Sequence, residues 1–87
     1  MTKSVFTSAY RHFLDTLIQM RKSKKITQVQ MAKELKKPQS YVSKYESGER
    51  RLDVIETLAI LDVLKVSASK FMGILEKKIL FNKNDKI

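Results

Sequence analysis

The sequence predicts an all-α protein, a compact bundle of five short helices. Apolar residues recur at the i, i+3, i+4 spacing of a helix face in one stretch after another, and no stretch alternates as a strand does. Turn and cap residues separate these stretches. Helices this short are stable only when they pack their apolar faces together. The 87 residues fit one domain, with a core over about 8–76 and a tail over 77–87.

The first helix is predicted from about Ser8 to Lys22. Six of its residues share one face: Tyr10, Phe13, Leu14, Leu17, Ile18 and Arg21. The polar stretch KSKK then interrupts this pattern. Thr27 opens a second helix of about nine residues, because Thr27 and Gln30 have the spacing of a capping box.

The third helix is predicted from Pro38 to about Ser47. A proline in the first helical turn loses no hydrogen bond, since that N–H would be unpaired in any case. Gly48 is the residue type that most often ends a helix in the left-handed conformation.

A fourth helix follows the loop ERRL. Asp53 is its predicted cap, with Glu56 three residues on, and it carries the apolar residues Val54, Ile55, Leu58, Ala59, Leu61 and Leu64. Ser67 begins a fifth helix. Four of its residues are expected to face inward: Ala68, Phe71, Met72 and Leu75.

Positive charge is concentrated in the middle of the chain. The protein has 18 Lys and Arg against 9 Asp and Glu, a net charge of +9. Residues 21–51 hold ten of the positive and three of the negative side chains, so this segment carries +7. Such focusing favours a polyanionic partner such as nucleic acid. The alternative is that surface lysines simply keep a small protein in solution.

Several classes of function are disfavoured by composition. Without cysteine, disulfides and thiolate metal sites are excluded, and the single histidine, His12, argues against a histidine zinc site or a catalytic triad. No carboxylate pair suggests acid–base catalysis. We therefore expect no enzyme, no metal and no cofactor, and so small a chain gives no argument for a small-molecule effector. With no apolar run of membrane-spanning length and no signal-peptide pattern, a cytoplasmic protein without membrane contact is expected.

The second and third helices form the most informative unit. A connection of about three residues forces them to cross steeply, as in a helix-turn-helix, and Ala32 is the small residue expected at the crossing. Helical spacing turns Val42 and Tyr45 inward. The other side carries Ser40, Ser43, Lys44 and Ser47, with Gln39 and Tyr41 at its flanks. Serine is a poor helix former, but short polar side chains suit close approach to base edges. The alternative is an ordinary solvated surface.

The stretch TQVQMAKELKKPQSYVSKYESGERRLDVIETLAILDVLKVSASKFM resembles the lambda-repressor-like, or Xre, family of transcription regulators. This family includes phage repressors, Cro-like proteins and the controller proteins of restriction–modification systems. The resemblance covers roughly residues 9–75. It lies in the combined pattern Thr-Gln-x-x-x-Ala, Gln-Ser-x-Val-Ser-x-x-Glu-x-Gly and Leu-x-Val-Ser.

The resemblance implies a role for each matching residue. The base-reading positions would be Gln39, Ser40, Ser43 and Lys44. Gln28 would bind a phosphate and brace Gln39. Tyr41 would contact the sugar–phosphate backbone. Ser47, the loop 49–52 with Arg50 or Arg51, and the N-terminus of the fourth helix would contact phosphates on the other side. Independently of the resemblance, the charge of Lys36 and Lys37 lies near the predicted groove. Lys24 and Lys25, beside the helix-turn-helix, either contact phosphates or form a solvated loop. Arg21 and Glu46 would form a partly buried structural ion pair.

Two positions depart from the family pattern. Lys36 stands where the turn usually has glycine, so either it adopts a positive φ or the turn is reshaped. Pro38 replaces the usual Ser or Thr cap of the third helix, which removes a side-chain cap worth about 1 kcal/mol.

The expected function is regulation of transcription by sequence-specific binding of double-stranded DNA. A single module makes few contacts, so we expect a homodimer on a pseudo-palindromic operator with half-sites about 10 bp apart or a multiple of that. The dimer candidates are Phe71, Ile74, Ile79, Leu80 and Phe81, which could equally complete the monomer core. Two alternatives remain: a protein-interaction module of the antitoxin or bridging type with secondary DNA binding, and a non-specific RNA or DNA binder.

Overall fold

The structure, a computed structural model, describes residues 7–80 and contains five helices and no strand in that range. The helices are α1 (Ser8–Ser23), α2 (Gln28–Leu35), α3 (Gln39–Ser47), α4 (Val54–Leu64) and α5 (Ala68–Leu80). The prediction of an all-α bundle of five helices is confirmed. The predicted dimer residue Phe81 lies outside the described residues.

Both predicted capping boxes are present. The Thr27 hydroxyl accepts a hydrogen bond from the Gln30 amide at 3.0 Å, and the Gln30 side chain accepts one from the Thr27 amide at 2.8 Å. Asp53 and Glu56 make the same reciprocal pair, at 2.7 and 3.0 Å. Each box satisfies two backbone N–H groups that the helix itself cannot pair, which fixes where α2 and α4 begin.

The core fills the space between all five helices. Its members are nearly inaccessible: Leu14, Leu17, Met31, Ala32, Val42, Tyr45, Ile60, Leu61, Leu64, Phe71 and Leu75. The inward orientation predicted for Val42 and Tyr45 is confirmed. The inward prediction for Met72 is wrong, because Phe71 and Leu75 occupy the inner face of α5 and leave Met72 56% exposed.

Helix α5 packs against α1 and extends to Leu80, into the segment predicted as a tail. The Lys78 ammonium donates a hydrogen bond to the buried Thr16 hydroxyl at 2.9 Å. Phe71 is fully buried and meets the ring of Phe13 edge-on, with centroids 5.8 Å apart. Its assignment as a dimer residue is therefore wrong: a side chain with no exposed surface completes the monomer core.

Candidate nucleic-acid interface

A tight left-handed turn joins α2 to α3. Lys36 has φ 59°, so this lysine adopts the conformation that the family pattern usually assigns to glycine. The Lys37 amide donates to the Ala32 carbonyl at 2.9 Å, which closes the end of α2. Ala32 is 3% exposed and belongs to the core cluster, as expected for the small residue predicted at the crossing of α2 and α3. Pro38 precedes α3 without a side-chain cap, and Gly48 ends the helix at φ 89°.

The exposed side of α3 is polar and short. Gln39, Ser40, Ser43, Lys44 and Ser47 are all exposed, whereas the buried side consists of Val42, Tyr45 and Glu46. Ser47 differs from the others, because its hydroxyl donates to the Lys44 carbonyl at 3.0 Å and accepts from the Glu49 amide at 3.3 Å. It therefore helps to shape the end of the helix.

A chain of polar side chains connects the bundle interior to this surface. Arg21 and Glu46, both buried, form the ion pair that the resemblance implies, with Nε 2.7 Å from Oε2. Gln28 donates from Nε2 to Glu46 Oε1 at 2.9 Å. Gln39 in turn donates from Nε2 to Gln28 Oε1 at 2.8 Å. The four side chains thus link α1, α2 and both ends of α3.

Tyr41 lies between two cationic side chains at the edge of α3. The Lys37 ammonium is 5.3 Å from its ring centroid and the Arg50 guanidinium carbon 4.9 Å. The ring also meets that of Tyr45 edge-on at 5.5 Å. Burial and then the nearby Glu56 carboxylate raise the pKa of Tyr41, and burial raises the pKa of Tyr45 as well. Both phenols therefore remain neutral hydrogen-bonding groups at neutral pH.

Arg50 is tied to the start of α4. Its Nη2 lies 2.7 Å from Glu56 Oε2, while the other oxygen of Glu56 completes the capping box. The hydrogen bond from Arg50 and then that from the Asp53 amide lower the pKa of Glu56, and the hydrogen bond to Glu56 raises the pKa of Arg50. Sequence reasoning missed this contact, although the capping-box spacing had already placed Glu56 at the end of the loop.

The loop 49–52 also packs against α1. The Leu52 amide donates to the Tyr10 hydroxyl at 3.1 Å, and the Arg51 guanidinium carbon lies 4.2 Å from the centroid of the Tyr10 ring. From the sequence, Tyr10 was expected only as a member of the buried stripe. Tyr10 also fixes the position of the loop that contains Arg50 and Arg51.

Exposed positive charge flanks α3 on two sides. Lys36 and Lys37 lie in the turn before the helix, and Arg50 and Arg51 lie in the loop after it. Lys24 is exposed at the end of α1. Lys25 lines a shallow cleft with residues of α2 and α4, and no residue of α3 lines that cleft. Of the six lysines and arginines predicted to contact the DNA backbone, four therefore lie in the segments directly before and after α3, and Lys24 and Lys25 do not.

An apolar groove of about 470 Å³ lies between α1, α4 and α5, and Arg51 and Leu52 of the loop 49–52 also line it. Two exposed apolar side chains of α4 line it, Val54 at 73% and Leu58 at 45%, and Ile55, next to Val54 in the sequence, is 72% exposed. This groove was not predicted, because apolar residues surround the first half of α4 and their pattern alone does not say which side is covered.

Neither a metal cluster nor a membrane span is found among residues 7–80. These residues contain no group of three or more His, Asp or Glu placed to hold a metal ion. None of their helices combines the length and apolarity needed to cross a membrane.

Comparison with known proteins gives one positive finding. A family model described as a helix-turn-helix matches residues 17–71, which is more than half of the chain. The match contains α2, α3 and α4 completely, together with parts of α1 and α5. A search of curated proteins gives no match.

Proposed function

The chain belongs to the Cro/C1-type helix-turn-helix family of DNA-binding transcription regulators, and we propose that it recognises a specific double-stranded operator through α3. The observation that carries this proposal is the exposed face of α3. Short hydrogen-bonding side chains occupy it, and exposed cations stand on both sides. Such a helix can approach base edges in the major groove while the flanking charges meet the phosphates.

Base readout is assigned to the four side chains Gln39, Ser40, Ser43 and Lys44. Lys44 suits the O6 and N7 acceptors of guanine, and a serine hydroxyl can donate or accept. Contacts to the DNA backbone are assigned to Lys36, Lys37, Tyr41, Arg50 and Arg51, with Gln28 at the start of α2. The protein acts by binding in the cytoplasm, not by catalysis.

We further propose that the protein binds as a homodimer whose interface is the apolar groove. One module offers only a short recognition helix, so two copies are needed for tight specific binding. Because Arg51 and Leu52 line this groove, a second copy seated there would lie beside the same stretch of duplex.

Selection of bound sites from a random duplex pool tests the DNA proposal. The expected result is a pseudo-palindromic site that the protein prefers by roughly 10³-fold or more over unrelated duplex. Ser43→Ala and Lys44→Ala should each relax selection at particular base pairs. Lys70→Ala, which removes an exposed charge on α5, is the matched control and should leave the selected sequence unchanged. Equal weakening on every sequence by the α3 variants would refute base readout and favour a non-specific binder.

Two substitutions of similarly exposed residues distinguish the possible dimer surfaces. Met72, which lines the groove, is 56% exposed, and Leu80 at the end of α5 is 58% exposed, so neither change disturbs the core. Sedimentation should show that Met72→Glu yields monomers and that Leu80→Glu does not. The opposite result would show that the dimer interface lies at the end of α5. A monomeric wild type that captures a different protein on the groove would instead support the antitoxin or bridging alternative.

A further inference from the structure

We propose that Glu46, although it is turned away from the DNA-facing side of α3, determines which atoms Gln39 presents to a base and so favours adenine over guanine at that position. The inference rests on the proposed function of α3 as the recognition helix. Glu46 would act as a positioning residue, because it reaches Gln39 only through Gln28.

The Glu46 carboxylate has a fixed hydrogen-bonding polarity. Arg21 donates to both of its oxygens, from Nε to Oε2 at 2.7 Å and from Nη2 to Oε1 at 3.1 Å. A carboxylate paired with a guanidinium can only accept hydrogen bonds. Any further partner of Glu46 must therefore be a donor.

The side-chain amide of Gln28 has one donor end and one acceptor end. Its Nε2 lies 2.9 Å from Glu46 Oε1, so the donor end is committed to the carboxylate. Turning this amide over would place its carbonyl oxygen against a carboxylate oxygen, with no proton between them. The Gln28 carbonyl must therefore face Gln39.

The orientation of the Gln28 amide in turn fixes the orientation of the exposed Gln39 amide. Gln39 donates from Nε2 to Gln28 Oε1 at 2.8 Å. Its exposed amide consequently retains one carbonyl oxygen and one N–H for a base. That acceptor and donor match the N6 amino group and N7 of adenine, whereas guanine presents acceptors at both N7 and O6. The opposite orientation of Gln39, with only its NH₂ group directed at the base, would suit guanine.

The ion pair between Arg21 and Glu46 thus affects the choice of base as well as the stability of the fold. If position 46 carried a neutral amide, it could donate or accept, and both orientations of Gln28 and Gln39 would become available. The base preference at one pair of each half-site would then weaken, even though Glu46 itself touches no base.

The experiment compares operators that differ only at the base pair read by Gln39, which is identified as the pair where Gln39→Ala relaxes selection. Wild-type protein should bind the adenine version roughly 5- to 150-fold more tightly than the guanine version. Gln28→Met keeps the length of the side chain, removes the amide and leaves Arg21 and Glu46 paired. It should bring the adenine-to-guanine ratio of dissociation constants close to one, and Glu46→Gln should do the same.

Gln19→Met, the same exchange at an exposed site of α1, is the control and should keep the wild-type ratio. Circular dichroism verifies that each variant is folded, and Gln28→Met carries the test if Glu46→Gln is not. A purely structural role for Glu46 and Gln28 would weaken both operators equally and preserve the ratio, which would overturn the inference while the proposed function stood. A wild-type preference for guanine would overturn it as well. Failure to select any operator would overturn the inference together with the proposed function.

Discussion

Arg21 and Glu46 form a two-pronged ion pair inside the bundle, between α1 and the last turn of α3. Both residues are less than a tenth exposed, at 8% and 7%. The third guanidinium nitrogen, Nη1, donates to the Ile26 carbonyl at 2.7 Å and so anchors the loop between α1 and α2. The Arg21 side chain therefore fixes α1, the loop after it and α3 relative to one another.

Removal of one partner of this pair should strongly destabilise the protein. Arg21→Met leaves the Glu46 carboxylate buried without its counter-ion, which should lower the free energy of unfolding by about 3–5 kcal/mol. Urea denaturation measures this change. Asp15→Asn, which breaks the much more exposed pair between Arg11 and Asp15, is the control and should lower it by less than about 1 kcal/mol. Similar losses in the two variants would show that burial does not distinguish the pairs.

Two lysines adopt the left-handed backbone conformation, and only one of them is proposed to contact DNA. Lys36 has φ 59° and Lys65 φ 60°, each just after a helix. A non-glycine residue there costs about 1–2 kcal/mol, and glycine gives back about 0.4–1 kcal/mol through its freer unfolded chain. Lys36→Gly and Lys65→Gly should therefore each raise the free energy of unfolding by roughly 0.5–1 kcal/mol, as measured by urea denaturation.

The same two variants should differ in DNA binding. Lys36→Gly should lose one phosphate contact, so the negative slope of log affinity against log salt concentration should become about 0.9 less steep. Lys65→Gly should leave this slope unchanged. A wild-type slope in both variants would remove Lys36 from the interface.

Helix ends could be predicted from the sequence because their causes are local. Thr27 with Gln30, and Asp53 with Glu56, need only a three-residue spacing to form a capping box, and Gly48 ends α3 by its own backbone freedom. The polar side of α3 followed from the 3.6-residue period for the same reason.

Contacts between distant segments could not be predicted in this way. The bond from the Leu52 amide to the Tyr10 hydroxyl joins residues 42 positions apart, and no local spacing signals it. Apolar character alone also did not separate Phe71, which completes the core, from Met72, which lies open to solvent. Both are strongly apolar, and only the packing of α5 on α1 distinguishes them.

Acid should weaken the link between Arg50 and Glu56. Because the folded-state pKa of Glu56 lies below its ordinary value of 4.5, this carboxylate stabilises the fold above that value and loses its effect as the pH falls through the lowered pKa. Glu56→Gln should therefore reduce the free energy of unfolding at neutral pH, and the difference from wild type should vanish at strongly acidic pH. Urea denaturation across this range measures it.

Two controls accompany the acid series. Glu76→Gln, at an exposed site of α5, should follow the wild-type curve. In an NMR titration, Arg50→Met should move the pKa of Glu56 back toward its ordinary value, since the Arg50 hydrogen bond is the largest cause of the shift. An unchanged Glu56 pKa in that variant would assign the shift to the capping box instead.

The crossing of α2 and α3 should tolerate only a small residue at position 32. Ala32 is 3% exposed within the core, so Ala32→Leu at the predicted crossing should push the recognition helix away or strain the core, at a cost of about 1–3 kcal/mol. Ala59→Leu, at an exposed site of α4, adds the same side chain without crowding and should leave the free energy of unfolding nearly unchanged. Because the displacement falls on α3, Ala32→Leu should also lose operator affinity when the variant is fully folded, as measured by titration of labelled duplex well below its melting temperature. A folded Ala32→Leu variant with wild-type affinity would show that the placement of α3 does not depend on this contact.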